Sequence, residues 1–183
     1  MAPLALTLLT LSSLLLISPT IAAPVTQESN PCIPTLYTID NYLRHFKSIR
    51  ERNNVETRSN VTFKFTPTFS NPAIITDPAL SGSTCFAESE NEPIGPNNAC
   101  STGKDSVSFS FGPTPWIERV DIAHSWKCNG LKWSSHSAVK LSPLYGSGSS
   151  NDDGGFQGVE SGGPFTVVPG GPFTAMPENF VQG

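Results

Sequence analysis

The dipeptide Asn129-Gly130 lies between two runs of alternating polarity, "RVDIAHSWKC" and "LKWSSHSAVK". Asn-Gly is the favoured pair for a two-residue type I′ hairpin, because both central positions need positive φ. Such a turn dictates the register of everything around it. Cys128 faces Leu131, Trp126 faces Trp133, His124 faces Ser135, Ile122 faces Ser137 and Val120 faces Val139, all on one side. The opposite side receives Lys127 with Lys132, Ser125 with Ser134, Ala123 with His136, and Arg119 with Lys140. A slip of one residue would reverse both faces. Trp126 and Trp133 are therefore expected as a cross-strand aromatic pair that stabilises the hairpin, rather than as a ligand platform.

Other stretches repeat the two-residue period. "PTLYTIDNYLRHF" predicts a strand over about 35–44, with Tyr37, Ile39 and Leu43 on one face. "NVTFKFTP" places Val61, Phe63 and Phe65 together and is expected to end at Pro67. "STCFAES" and "DSVSFSFGP" are further short strands, the latter aligning Val107, Phe109 and Phe111. Pro72 and Pro78 make "TFSNPAIITDPALSG" a loop with at most a short edge strand, and "ENEPIGPNNAC" is turn chemistry. The fold class is all-β: a compact antiparallel barrel or sandwich.

The chain opens on "MAPLALTLLTLSSLLLISPTIAAP", an apolar run ending in small residues that reads as a secretory signal peptide over 1–22. No later segment is apolar enough for a transmembrane helix. Export makes the four cysteines a disulfide set. Three pairings are possible. Cys85 with Cys100 would close a short loop worth roughly 3 kcal/mol, and Cys32 with Cys128 would then tie the first strand to a late one. The only N-glycosylation sequon, Asn60-Val61-Thr62, predicts a surface position at the start of a strand.

From Pro143 the composition turns to Gly, Pro and Ser, with a tandem "GGPFTVVP" and "GGPFTAMP". Such a stretch has little to bury. The expected organisation is a disulfide-bonded domain over 23–142 and a disordered tail over 143–183. The alternative for the tail is a sticky peptide whose Phe165 and Phe173 dock on a partner.

Little points to catalysis. No G-x-S-x-G is present, and His124 and Asp121 fall on opposite faces of their strand, leaving His124 against Ser135 in or beside the core. "GSGSSNDDGG" lacks the Lys of a phosphate loop and the spacing and closing Glu of a calcium loop. Glu88, Glu90 and Glu92 read as a solvated face. No enzyme activity, metal or cofactor is expected, and a net charge of −4 argues against nucleic acid as the main partner. The charge is uneven, however. Arg44, Lys47, Arg50, Arg52 and Arg58 crowd one stretch, with "KSIRERNNVETRSN" expected as an exposed loop. This basic run, and Arg44, Lys47, Arg50 and Arg52 in particular, is the candidate partner-binding surface, suited to anionic lipid heads, pectin-like polymers or an acidic protein.

Cys32 before "YTIDNYL", the phenylalanine-rich "VTFKF", "TCFAE" leading through a polar loop to Cys100, and "VSFSF" before a hydrophobic hairpin carry a family likeness. Over residues 32–141 the chain resembles the small secreted fungal proteins of the Alternaria major-allergen family. The resemblance implies a compact β-barrel, extracellular location, homodimers, and an allergen or effector role through a host extracellular protein or a small phenolic ligand. The chain departs from the family in having no cysteine after Cys128 and in its Gly/Pro extension. The expected function is a secreted, non-enzymatic binding protein. The alternatives are a structural cell-wall or surface protein and, last, a small hydrolase.

Overall fold

The computed structural model describes residues 30–51, 54–90, 94–111, 119–150, 155–170 and 172–177. The signal-peptide segment, Arg52 and Glu92 lie outside them. Among the described residues, twelve strands run β1 (Pro34–Glu51), β2 (Asn54–Phe69), β3 (Ile75–Thr76), β4 (Ser83–Ser89), β5 (Asn98–Ala99) and β6 (Val107–Phe111). They continue with β7 (Arg119–Cys128), β8 (Leu131–Lys140), β9 (Tyr145–Ser150), β10 (Phe156–Gly162), β11 (Phe165–Val167) and β12 (Thr174–Pro177). They form two antiparallel sheets. Sheet A has the order β4-β2-β1-β10-β9, with β11 also on β1; sheet B has the order β12-β8-β7-β6-β5, with β3 on β7. Of barrel and sandwich, this is the sandwich.

The β7–β8 hairpin has the register its turn demands, from Arg119 opposite Lys140 to Cys128 opposite Leu131. Asn129 and Gly130 both have positive φ, 52° and 73°. Trp126 stacks on Trp133 at 6.5 Å and is buried, its indole N–H donating to the Cys32 carbonyl at 2.8 Å. Inward residues of both sheets build the main core: Tyr37, Ile39, Val61, Phe63 and Phe65 from sheet A meet Val107, Phe109, Val120, Ile122 and Val139 from sheet B. Each such side chain contributes about 1.5–3 kcal/mol on burial. A second cluster gathers Phe69, Ile75 and Trp126 around the Cys32–Cys128 disulfide. The other bridge is Cys85–Cys100. Cys32 is thus used within the chain.

Four expectations are corrected. First, β1 reverses its faces midway. Asn41, at φ 52°, sits in a bulge between Asp40 and Leu43. Asn tolerates that conformation, and the extra residue turns Leu43 outward while Tyr42 and Arg44 turn inward. Second, the described part of the basic stretch, 47–51 and 54–60, is strand, not loop. β1 and β2 stay paired as far as Glu51 opposite Asn54, because backbone pairing does not require apolar side chains. Third, Pro67 does not end β2, which runs on to Phe69; pairing with β4 has stopped at Phe65, so that edge needs no donor.

Fourth, the disorder expected from residue 143 gives way to strands at 145–150, 156–162, 165–167 and 174–177, while 151–154, 171 and 178–183 lie outside the described residues. The glycines are the reason. A Cβ at Gly158 would overlap the Phe46 ring, and one at Gly148 would overlap Phe156. Phe46 and Phe156 stack at 5.5 Å across these bare backbones. The tandem repeat is divided between the layers: Phe165 enters the main core through β11 on β1, and Phe173 packs on the second cluster just before β12 joins β8. Both phenylalanines dock on their own chain. Gly158→Val should therefore destabilise the fold by about 1–3 kcal/mol through overpacking. Phe46→Ala in the same chain should relieve part of that loss, a coupling that a double-mutant cycle in urea measures.

Candidate functional site

Two polar constellations stand out, one buried between the sheets and one open on sheet A. In the buried one, Asp77 Oδ2 lies 2.9 Å from His124 Nε2, His124 Nδ1 lies 2.9 Å from the Tyr37 hydroxyl, and that hydroxyl lies 2.7 Å from Ser135 Oγ. β1 positions Tyr37, the adjoining strands β7 and β8 position His124 and Ser135, and the turn after β3 positions Asp77. The Asp77 carboxylate only accepts hydrogen bonds, taking the Ala79 N–H on Oδ1 at 2.8 Å and requiring a hydrogen on His124 Nε2. A neutral ring then accepts the Tyr37 O–H at Nδ1, and the Tyr37 oxygen accepts from Ser135. One direction of donation satisfies every member. Burial pushes the Tyr37 phenol well above its ordinary range; the Ser135 hydrogen bond opposes this and the Asp77 charge adds to it.

Hydroxyl, imidazole and carboxylate are the ingredients of nucleophile activation. Here His124 and Ser135 are each 1% exposed and Tyr37 is fully covered, so the row has no opening for a substrate. It acts as a polar tie between the two layers. His124 does lie against Ser135, as its strand position implies. The links of His124 to Asp77 and to Tyr37 join residues 47 and 87 positions apart, which strand periodicity does not connect.

The open constellation is the outward face of sheet A. There the twisted strands form a shallow cradle of about 920 Å3. Cross-strand register sorts its side chains into rows. One row reads Ser147, Val159, His45, Asn60, Glu88; the next reads Ser149, Gln157, Lys47, Arg58 and then, one residue past the last paired position, Glu90. Glu56 lies one row beyond Arg58. On the other flank, Tyr145, Ser161, Leu43, Thr62 and Phe86 form a row. Tyr145 is 70% and Phe86 53% exposed. They stand on the two outer strands, four strand spacings or about 19 Å apart. Lys47 and Arg58 are direct cross-strand partners of like charge.

The candidate binding residues separate accordingly. Lys47 is exposed in the cradle. Arg44 is withdrawn from any partner surface, at 5% exposure. Its guanidinium donates to Glu160 at 3.3 Å and to Ser59 Oγ at 3.2 Å and covers the Phe46 ring at 5.2 Å. The bulge at Asn41 is what turns it inward. Arg50 belongs to β1, but its side chain, like Arg52, lies outside the described residues. Arg58, at the far end of the basic run, becomes the direct cross-strand partner of Lys47, and Gln157, from outside that run, is brought beside Lys47 only by the paired register. Asn60 is exposed, but at mid-strand. Among the described residues there is no group of three or more His, Cys, Asp and Glu fit to hold a metal, and no helix long and apolar enough to cross a membrane.

No family model matches the chain, and neither does any curated protein or solved structure.

Proposed function

We propose that the protein is an exported, non-enzymatic binding protein, effector- or allergen-like in kind, that captures an acidic saccharide chain outside the cell on the open face of sheet A. The observation that carries this reading is the Lys47–Arg58 pair. Like charges directly opposed across two strands cost stability in the free protein. A ligand carboxylate between them removes that cost. The surrounding Asn60, Gln157, Ser147, Ser149 and Glu88 supply both donors and acceptors for hydroxyl groups. Tyr145 and Phe86 offer apolar rings along a span that a single sugar ring cannot cover. Two disulfides suit an oxidising compartment.

The test is a titration of the purified, glycan-free chain with a short polygalacturonate at two salt concentrations. Lys47→Ala and Arg58→Ala should each weaken capture by about fivefold, or about 1 kcal/mol, and most at low salt. Each should also leave stability unchanged or raise it by about 0.2–1 kcal/mol, since each relieves the same repulsion. Glu88→Gln should strengthen capture. If the Lys47→Ala/Arg58→Ala double variant binds as the parent does, the cradle is not the site.

A further inference from the structure

The Asn of the sequon, Asn60, lines that cradle. Asn60 and Thr62, two residues apart on one strand, project from the same face, while Val61 between them is fully buried in the core. Asn60 is flanked by His45 and Glu88 in its own row. Lys47 and Arg58 lie in the row on one side, and Leu43 and Phe86 in the row on the other. Any group attached to the Asn60 amide therefore leaves from the floor of the cradle, among side chains that suit a saccharide.

We propose that Asn60 carries an N-linked glycan whose first sugars lie in the cradle over His45, Lys47 and Arg58, so that glycosylation decides whether this face is open. The proposal rests on the reading of the cradle as a saccharide site. In the attachment step, Asn60 Nδ2 loses one proton and bonds to the anomeric carbon of an oligosaccharide carried on a lipid diphosphate. The carbon–oxygen bond to the diphosphate breaks, and the diphosphate leaves with the electron pair. The order of events follows from the strand. Asn60 is paired on both sides, to His45 and to Glu88, so its backbone is free for a transferase only before the sheet closes. Once attached, the sugars are tethered ligands, and weak contacts suffice to hold them because the effective concentration of a short tether reaches the millimolar range.

The experiment uses the full chain secreted from a eukaryotic host, alongside Asn60→Gln, Thr62→Val and Thr62→Ser. Intact mass should show a glycan on the parent and on Thr62→Ser, and none on the other two. Acetylation of Lys47 should then be about fivefold slower in the glycosylated parent than in Thr62→Val. Lys104, exposed on a distant turn, should react equally in both. Enzymatic removal of the glycan from the folded parent should restore Lys47 reactivity without any substitution, so a variant that folds poorly does not decide the matter. A secreted parent without a glycan overturns the proposal, and so does a glycosylated parent whose Lys47 reacts as fast as after glycan removal. Neither readout needs a ligand. Failure of the glycan-free chain to bind polygalacturonate would sink the saccharide reading and with it the gating role, while the mass and labelling results would still report where the glycan lies.

Discussion

Asp77→Ala is expected to cost about 3–5 kcal/mol, a large part of the stability of a domain of this size. The carboxylate has two partners, His124 Nε2 at 2.9 Å and the Ala79 N–H at 2.8 Å, and its side chain is fully buried. Truncation strands both donors away from water, at about 1–3 kcal/mol each. Ring reorientation does not rescue them, because His124 is held between Tyr37 at Nδ1 and a stacked Trp126 at 4.8 Å. Asp77→Asn keeps an acceptor oxygen and should lose less. Asp121→Ala is the control. Asp121 pairs with Arg119 at 3.1 Å, but their side chains are 42% and 56% exposed, so solvent screens the pair and the loss should stay below about 1 kcal/mol. Urea unfolding of the three variants checks the order. Equal losses at Asp77 and Asp121 would remove the buried row from the account of stability.

Raising the pH above about 10 should unfold the protein steeply. Burial lifts the phenols of both Tyr37 and Tyr42 far above their ordinary value; at Tyr42 the Arg44 charge opposes the shift and Glu160 adds to it. The sign follows from proton counts. Below the unfolded value of 10.0 both states hold their phenolic protons, and the contribution is complete. Above it the unfolded chain releases two protons that the folded chain keeps. Stability then falls by about 1.4 kcal/mol per pH unit for each tyrosine, or about 5 kcal/mol between pH 10 and 12. Either Tyr→Phe change should halve the slope, yet the two should differ at neutral pH. Tyr37→Phe strips partners from His124 and Ser135 and should cost about 1–3 kcal/mol. The buried Tyr42 hydroxyl makes no hydrogen bond among the described residues, so Tyr42→Phe should be neutral or stabilising. Urea midpoints measured from pH 8 to 12 test this, and a slope unaltered in Tyr37→Phe would refute it.

Arg44 shows why part of the site was not legible. In one dimension it is the first of a basic run, and a basic run reads as solvated surface. In the fold a single bulge residue, Asn41, turns it inward, and its counter-charge Glu160 comes from 116 residues away. That counter-charge sits in the stretch whose glycines suggest disorder. The glycines at 148 and 158 have meaning only beside Phe156 and Phe46, which lie over them.

What the sequence determined by itself is local: the Asn129-Gly130 turn, and through it ten cross-strand pairs with their inward and outward faces. The all-β class follows from the same alternation, whereas the cysteine positions leave three pairings open and the fold selects Cys32–Cys128 and Cys85–Cys100. A turn pins register because its two residues and the strands beside them are contiguous, and a slip would expose every apolar side chain at once. Tertiary structure alone decided the reversal of β1, the capture of the Gly/Pro segment by both sheets, the Asp77–His124–Tyr37–Ser135 row and the cradle. Each of these joins residues distant in the chain. Their interaction energy appears only when the layers close, so it leaves no periodic trace in any one strand.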